Sequence, residues 1–359
     1  MPYKIAGSIN DSSKIIVFNE SDWSIDSVSD SQPTTYELIT LTSGIKTVVS
    51  IANGEIIGYG KISPISVTLD TLVQKTTSTT QSDAKCMVVY DNKLYAGTAN
   101  NGRLFEWNGV NNWATVAPQY SSVVVIRDMV VFNNKLYGGT SNGSMLLEWN
   151  GVDAWIEKAA TYDGETTIMS LVVYNNELYG GTSTGGKLFK WNGTDAWTKV
   201  ADSYSGEDSI IDMVVFNNKI YGGTNINGNL LEWNGVDAWT LAAPSTGIWG
   251  ITSLAVFNNK IYGSTDSGGR LMEWNGMSGW DQVAPVYESV SAVKSLVVYN
   301  NKLYGGGTNS GLLEWNGVDA WTLAAYNEDV TSISSSAVYN NKLYVGTGLF
   351  ARLYEWSHS

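Results

Sequence analysis

The 359-residue chain has a single cysteine, Cys86, and a single histidine, His358. One thiol excludes an internal disulfide and a multi-thiolate zinc site. One imidazole next to the C-terminus leaves a Ser-His-Asp triad or a two-histidine metal centre almost nothing to be built from. Charge is sparse too, at 15% of residues against roughly 25% in average soluble proteins. The balance is −13, the wrong sign for a surface that neutralises phosphate backbones, so nucleic acid drops out as a primary ligand. No apolar run reaches the roughly 18 residues that span a bilayer. The opening stretch MPYKIAGSIN is polar and lacks the basic-then-apolar layout of a secretory signal. What is abundant is glycine, tyrosine and tryptophan, at 37, 20 and 15 copies, a mix that favours strands joined by tight turns.

A repeat organises most of the chain. VVYDNKLYAGT at 88–98 recurs as VVFNNKLYGGT at 130–140, VVYNNELYGGT at 172–182 and VVFNNKIYGGT at 214–224, with looser copies starting at Val256, Val298 and Val338. The anchoring tyrosines Tyr95, Tyr137, Tyr179, Tyr221, Tyr262, Tyr304 and Tyr344 are spaced 42, 42, 42, 41, 42 and 40 residues apart, giving seven units. The units read as four short strands, as in the second: an apolar strand turned back by a two-residue Asn-Asn hairpin, a second strand ending in glycines, a third ending in Glu-Trp, and a fourth opened by tryptophan. Four strands in a repeat of about 40–45 residues is the pattern of a β-propeller blade.

The seventh unit ends in EWSHS without a fourth strand. The fourth-strand tryptophans Trp113, Trp155, Trp197, Trp239, Trp280 and Trp321 lie 18 or 19 residues before the aromatic that ends the next first strand. Counting back 19 from Tyr90 reaches Thr71, which predicts that residues 71–76 supply the outer strand of the last blade and cover its open edge. The expected fold is all-β, with a seven-bladed propeller over 85–359, a linker with the closing strand over 67–84, and a small β-sandwich over 1–66.

The apolar first strand, the Tyr137 and Gly138-Gly139 grouping, and the tryptophan opening the fourth strand resemble the kelch and tachylectin-like propellers. The resemblance covers 71–359 and implies architecture; propellers host enzymes, lectins and scaffolds alike. Residues 1–66 lack the repeat and read as strands at Tyr3–Ile9, Lys14–Phe18, Trp23–Val28, Thr35–Leu41, Lys46–Ala52 and Glu55–Ile62, with Asn53-Gly54 a hairpin signal. The stretch TYELITLTSGIKTVV at 35–49 resembles carboxypeptidase-regulatory, transthyretin-like domains, with Thr34 where their first glycine is expected. That resemblance implies an adaptor of the kind found in surface and virion proteins.

A glutamate recurs before the third-strand tryptophan, at Glu106, Glu148, Glu232, Glu273, Glu314 and Glu355. The third unit carries Lys190 there and, in the same unit, Glu177 where the others carry a second-strand lysine. The coupled swap predicts cross-strand ion pairs, with Lys135 directly opposite Glu148, rather than an acid ring for metal or catalysis. The two tryptophan rings are expected to pack between blades, with sugar stacking as the alternative. Cys86 starts a first strand where other units have Asp128, Ser170, Asp212, Ser253, Ser295 and Ser335, a small polar ring position that needs no reactivity. Asp22, Asp26 and Asp30 lack the glycine and terminal glutamate of a calcium loop.

The connections from fourth strand to next first strand are the least uniform segments. They carry Tyr120, Tyr162, Tyr204, Trp249, Tyr287 and Tyr326 among Asp163, Glu165, Glu207, Asp208, Glu288, Glu328 and Asp329. Aromatic rings among polar acceptors on exposed loops suit glycan or protein recognition, which makes these six the candidate ligand-binding residues. No catalytic, cofactor or metal residues are expected. The expected function is a non-enzymatic virion structural or attachment protein, such as a tail, fibre or capsid-decoration component of a bacteriophage. It would be made in the host cytoplasm, anchored to an assembly through residues 1–66, and would display the propeller to cell-surface glycan or protein, with further copies of itself as possible neighbours. The alternative is a soluble, cytoplasmic propeller lectin with several blade-related glycan sites.

Overall fold

The computed structural model describes residues 70–356 apart from 246, 248, 249, 278, 289 and 310, together with the backbone of four strands before residue 70. The chain divides into two compact units, 1–68 and 69–359. In the first unit the strands Ile16–Phe18 and Ile25–Val28 pair antiparallel, as do Lys46–Ala52 and Glu55–Ile62. The remaining strands expected there, and the sandwich as a whole, lie outside the described residues.

The second unit is a seven-bladed β-propeller of four-stranded antiparallel sheets. In the second blade the strands are Ile126–Phe132, Lys135–Thr140, Leu146–Trp149 and Trp155–Ala159. First strands contact one another around a closed circuit that returns from the seventh blade to the first, so they form the hub. The hairpin between first and second strands has φ near +48° and +57° at Asn133 and Asn134, and both turn residues are positive in every blade. That is the backbone a two-residue type I′ turn needs, and asparagine tolerates it.

Glycine is required where neighbouring blades approach. A Cβ on Gly223 would lie 2.6 Å from Cγ2 of Ile251 in the next blade, and one on Gly139 2.7 Å from Ile168. The third-strand tryptophans fill the space beside these contacts. Trp191 meets Phe132 and Tyr137 of the preceding blade at 6.5 and 5.3 Å between ring centres, and Trp107 closes the circuit on Tyr339 and Tyr344 of the seventh. Four of the six fourth-strand tryptophans also reach the preceding blade by hydrogen bond, as in Trp197 Nε1 donating to Ser144 O and Trp113 Nε1 to Ala351 O. Both tryptophan rings are buried, so packing accounts for them.

Residues near 70 close the ring, with two differences from the expectation. Val73–Gln74 pairs antiparallel with Leu353–Trp356 of the seventh blade, while Asp70–Thr71 pairs parallel with Trp321–Tyr326 of the sixth. The segment therefore straddles two blades. Its register is also one residue later than counted. Gln74 faces Tyr354 and Val73 faces Glu355, as Glu157 and Ile156 face Leu147 and Glu148, so Leu72 and not Thr71 corresponds to Trp155. The physical reason is burial: Leu72 is 0% exposed, whereas Thr71 faces solvent. The correct interval back from Tyr90 is 18 residues.

Candidate functional site

The glutamate ring is consumed by its neighbours. Lys135 Nζ lies 2.9 Å from Glu148 Oε1, and the Tyr137 hydroxyl donates to Oε2 at 2.8 Å. The same three-part contact recurs in each blade that carries the Lys-Tyr-Glu set. In the third blade Lys190 pairs with Glu177 at 2.5 Å and the Tyr179 hydroxyl donates to Glu177. Pairing was expected, but the register differs, because Tyr137 stands opposite Glu148 and Lys135 reaches it diagonally from two residues away. The intervening loop closes between Thr140 and Met145 through mutual hydrogen bonds, later than a turn centred at Ser141-Asn142.

Burial alone would raise the Glu148 carboxyl. Hydrogen bonds from Lys135 and Tyr137, with Lys158 nearby, reverse this and hold it below the ordinary range. The tyrosines move the other way, raised by burial and then by the carboxylate each one contacts. Reversing one member of the third-blade pair, by Glu177→Lys or Lys190→Glu, is expected to cost about 1–2 kcal/mol by setting like charges together. The double variant should recover to within about 0.5 kcal/mol of the parent in urea denaturation.

The candidate face is built by the fourth-to-first connections and the loops between second and third strands, which are stitched together. Gly143 and Ser144 N–H donate to Thr166 O, Gly186 N–H to Asp208 O and Gly268 N–H to Ser291 O. Tyr120, Tyr162, Tyr204 and Tyr287 occupy one equivalent place, each accepting at its carbonyl an N–H from three residues on. In the sixth blade that place belongs to Asn327, so Tyr326 sits one residue earlier at the end of a strand. Trp249 lies outside the described residues. Tyr162 and Tyr326 are 39% and 43% exposed. Tyr120, Tyr204 and Tyr287 are half-buried against their blades.

The residue that plugs each of these turns is apolar at Val123, Val290 and Val330, but is Glu165 or Glu207 in two adjacent connections, all at 3% exposure or less. The two glutamates are thus withdrawn from the exposed set expected for them. Glu165 meets Lys187 at 3.1 Å, and Glu207 accepts from the amides of Asn227 and Asn229.

Sequence reasoning missed two features. On the opposite face, the Asn-Gly turns present Val110, Val152, Val236, Met277 and Val318 at 68–80% exposure. Each valine-bearing turn is fixed by an asparagine carbonyl accepting backbone N–H groups, as Asn150 does from Val152, Asp153 and Ala154. At the hub, a cavity of about 190 Å³ is lined by the starts of the first strands of all seven blades. Asp128 and Asp212 border it and bridge blades: Asp128 accepts from Met129 and Leu171 N–H, and Asp212 from Met213 and Leu254 N–H and the Ser253 hydroxyl.

Burial pushes the Asp128 carboxyl up to about 7, with Asp212 nearby adding to it, and burial pushes Asp212 up to about 6. The folded chain therefore holds protons here that the unfolded chain has released. The stability these groups contribute is present at acid pH and is lost as pH rises through about 6 to 7. The melting-temperature gap between the parent and Asp128→Asn should accordingly narrow from pH 5 to pH 8. A gap independent of pH contradicts the assignment.

Comparison with protein-family models and with curated proteins finds no match. Solved structures do match. The chain is a propeller by that measure as well. Virginiamycin B lyase from Staphylococcus aureus, as a catalytically inactive variant with quinupristin, superposes with a TM-score of 0.67 at 7% identity, over 80% of this chain and 99% of that one. The WD40 β-propeller domain of Doa1 gives 0.60 at 16% identity, over 81% and 97%. The extracellular domain of the putative hybrid two-component system BT4673 from B. thetaiotaomicron gives 0.64 at 16% identity over 81% of this chain, which spans 40% of that one. At these identities the likeness concerns fold alone.

Proposed function

We propose that this is a non-enzymatic virion structural or attachment protein, a tail, fibre or capsid-decoration component of a bacteriophage, whose propeller is a recognition head. The observation that carries the reading is the allocation of side chains. The acid ring is spent on Lys-Tyr-Glu contacts and both tryptophan rings on packing between blades, which leaves the variable loops of one face free to differ. The first compact unit ends at Thr68 and the closing strand begins at Asp70. A pull on residues 1–68 is therefore borne by strands in two blades, as suits an anchor. The resemblance of 35–49 to adaptor domains supports assigning that unit to attachment on the particle.

In this reading recognition falls to Tyr162 and Tyr326, and their exposure supports it. A glycan array probed with the full chain should give a selective signal that the Tyr162→Ala/Tyr326→Ala double variant loses. A signal that persists unchanged in the double variant contradicts this placement.

A further inference from the structure

We propose that the mouth of the central cavity binds a small oxyanion, held by Lys294, Lys85 and Arg127. These residues and Ser334 come from four consecutive blades, the sixth, seventh, first and second. Each immediately precedes the ring position occupied by Ser295, Ser335, Cys86 or Asp128, and all line the same cavity. They start their first strands, so the arc lies at the end of the hub nearest the fourth-to-first connections.

The charge pattern singles this arc out in a protein of net charge −13. From residue 70 onward, every described lysine except Lys85 and Lys294 is in an ion pair. None of the described arginines is in an ion pair, but in Arg127 alone among them is the Nε buried without a hydrogen-bond partner, as is the Ser334 hydroxyl. A buried donor left without a counterpart is costly, and a bound anion that accepts from it removes that cost. The nearby acids do not supply it. Both carboxylate oxygens of Asp128 and of Asp212 are already engaged with backbone N–H groups. Asp83 lies close enough to influence Lys85 and Arg127 but forms an ion pair with neither, so among the described residues no carboxylate is in ion-pair contact with the three cations of the arc.

The remaining wall includes Met169 and Ile211 from the third and fourth blades. A volume of about 190 Å³ holds several waters, enough for a phosphate or a short monocarboxylate.

The test is isothermal titration calorimetry of the full chain at low salt with inorganic phosphate and, separately, with isobutyrate. At least one probe is expected to bind at one site per chain and to weaken about tenfold in Lys294→Ala and in Arg127→Gln, and further on adding sodium chloride. Binding of phosphate alone identifies a phosphate site, and binding of isobutyrate alone a carboxylate site. Lys294 is exposed, so its alanine variant keeps the fold and isolates the charge. No binding of either probe at about 20 mM, a concentration that captures even millimolar affinity, overturns the proposal, as does binding unchanged in Lys294→Ala.

Discussion

Removal of residues 70–76 is expected to unfold the propeller cooperatively rather than loosen one blade. The segment supplies Leu72, fully buried in a cluster that spans the sixth and seventh blades with Tyr304, Ile333 and Trp356. It also ties the two blades by backbone. Leu72 N–H donates to Tyr326 O, Lys75 N–H donates to Leu353 O, and Thr76 Oγ1 accepts from Leu353 N–H. Leu72→Ala alone should cost about 2–5 kcal/mol by the lost transfer energy and the cavity left behind, a large part of a typical stability of about 5–15 kcal/mol. Thr71→Ala, at an exposed position, should change stability by less than about 0.5 kcal/mol. Urea denaturation separates the two. Equal, small effects would mean that the segment does not close the ring.

Trp191→Ala is the second large effect, about 3–5 kcal/mol. The indole is 7% exposed and sits against Phe132 and Tyr137 of the preceding blade, so the loss falls on an interface between blades. Unfolding should remain a single transition with a lowered midpoint, because each blade borrows packing from the next around a closed circuit. Val152→Ala, on the face of exposed turns, should leave the midpoint unchanged, because Val152 is 73% exposed. A Trp191→Ala variant as stable as the parent would contradict the assignment of the tryptophan rings to packing.

The architecture was legible because the same local chemistry is written seven times. A tyrosine every 40–42 residues fixes the number of blades, and paired Asn residues mark turns that need positive φ at two successive positions. The coupled exchange of Glu177 and Lys190 revealed a contact that no single blade would have shown. Register was less legible. The Lys135–Glu148 pairing was displaced because Thr140 and Met145 set where the loop closes, and the ring closure was displaced by one because a spacing of 18 or 19 does not choose between Thr71 and Leu72, whereas burial does. The candidate face was legible only as loop variability. Sequence could not tell that Glu165 and Glu207 take the place of a buried valine, or that Tyr326 is offset from its counterparts. The cation arc was hidden for a different reason. Lys85, Arg127 and Lys294 are far apart in sequence and converge only when the seventh blade meets the first.

The functional account is tested most directly by immunogold electron microscopy of intact, gradient-purified particles from cultures expressing this gene, using antibodies raised against the full chain. The account predicts gold on the outside of undisrupted particles, concentrated at tails, fibres or capsid surface. Protein found only in the soluble lysate, with particles unlabelled both before and after disruption, would contradict it.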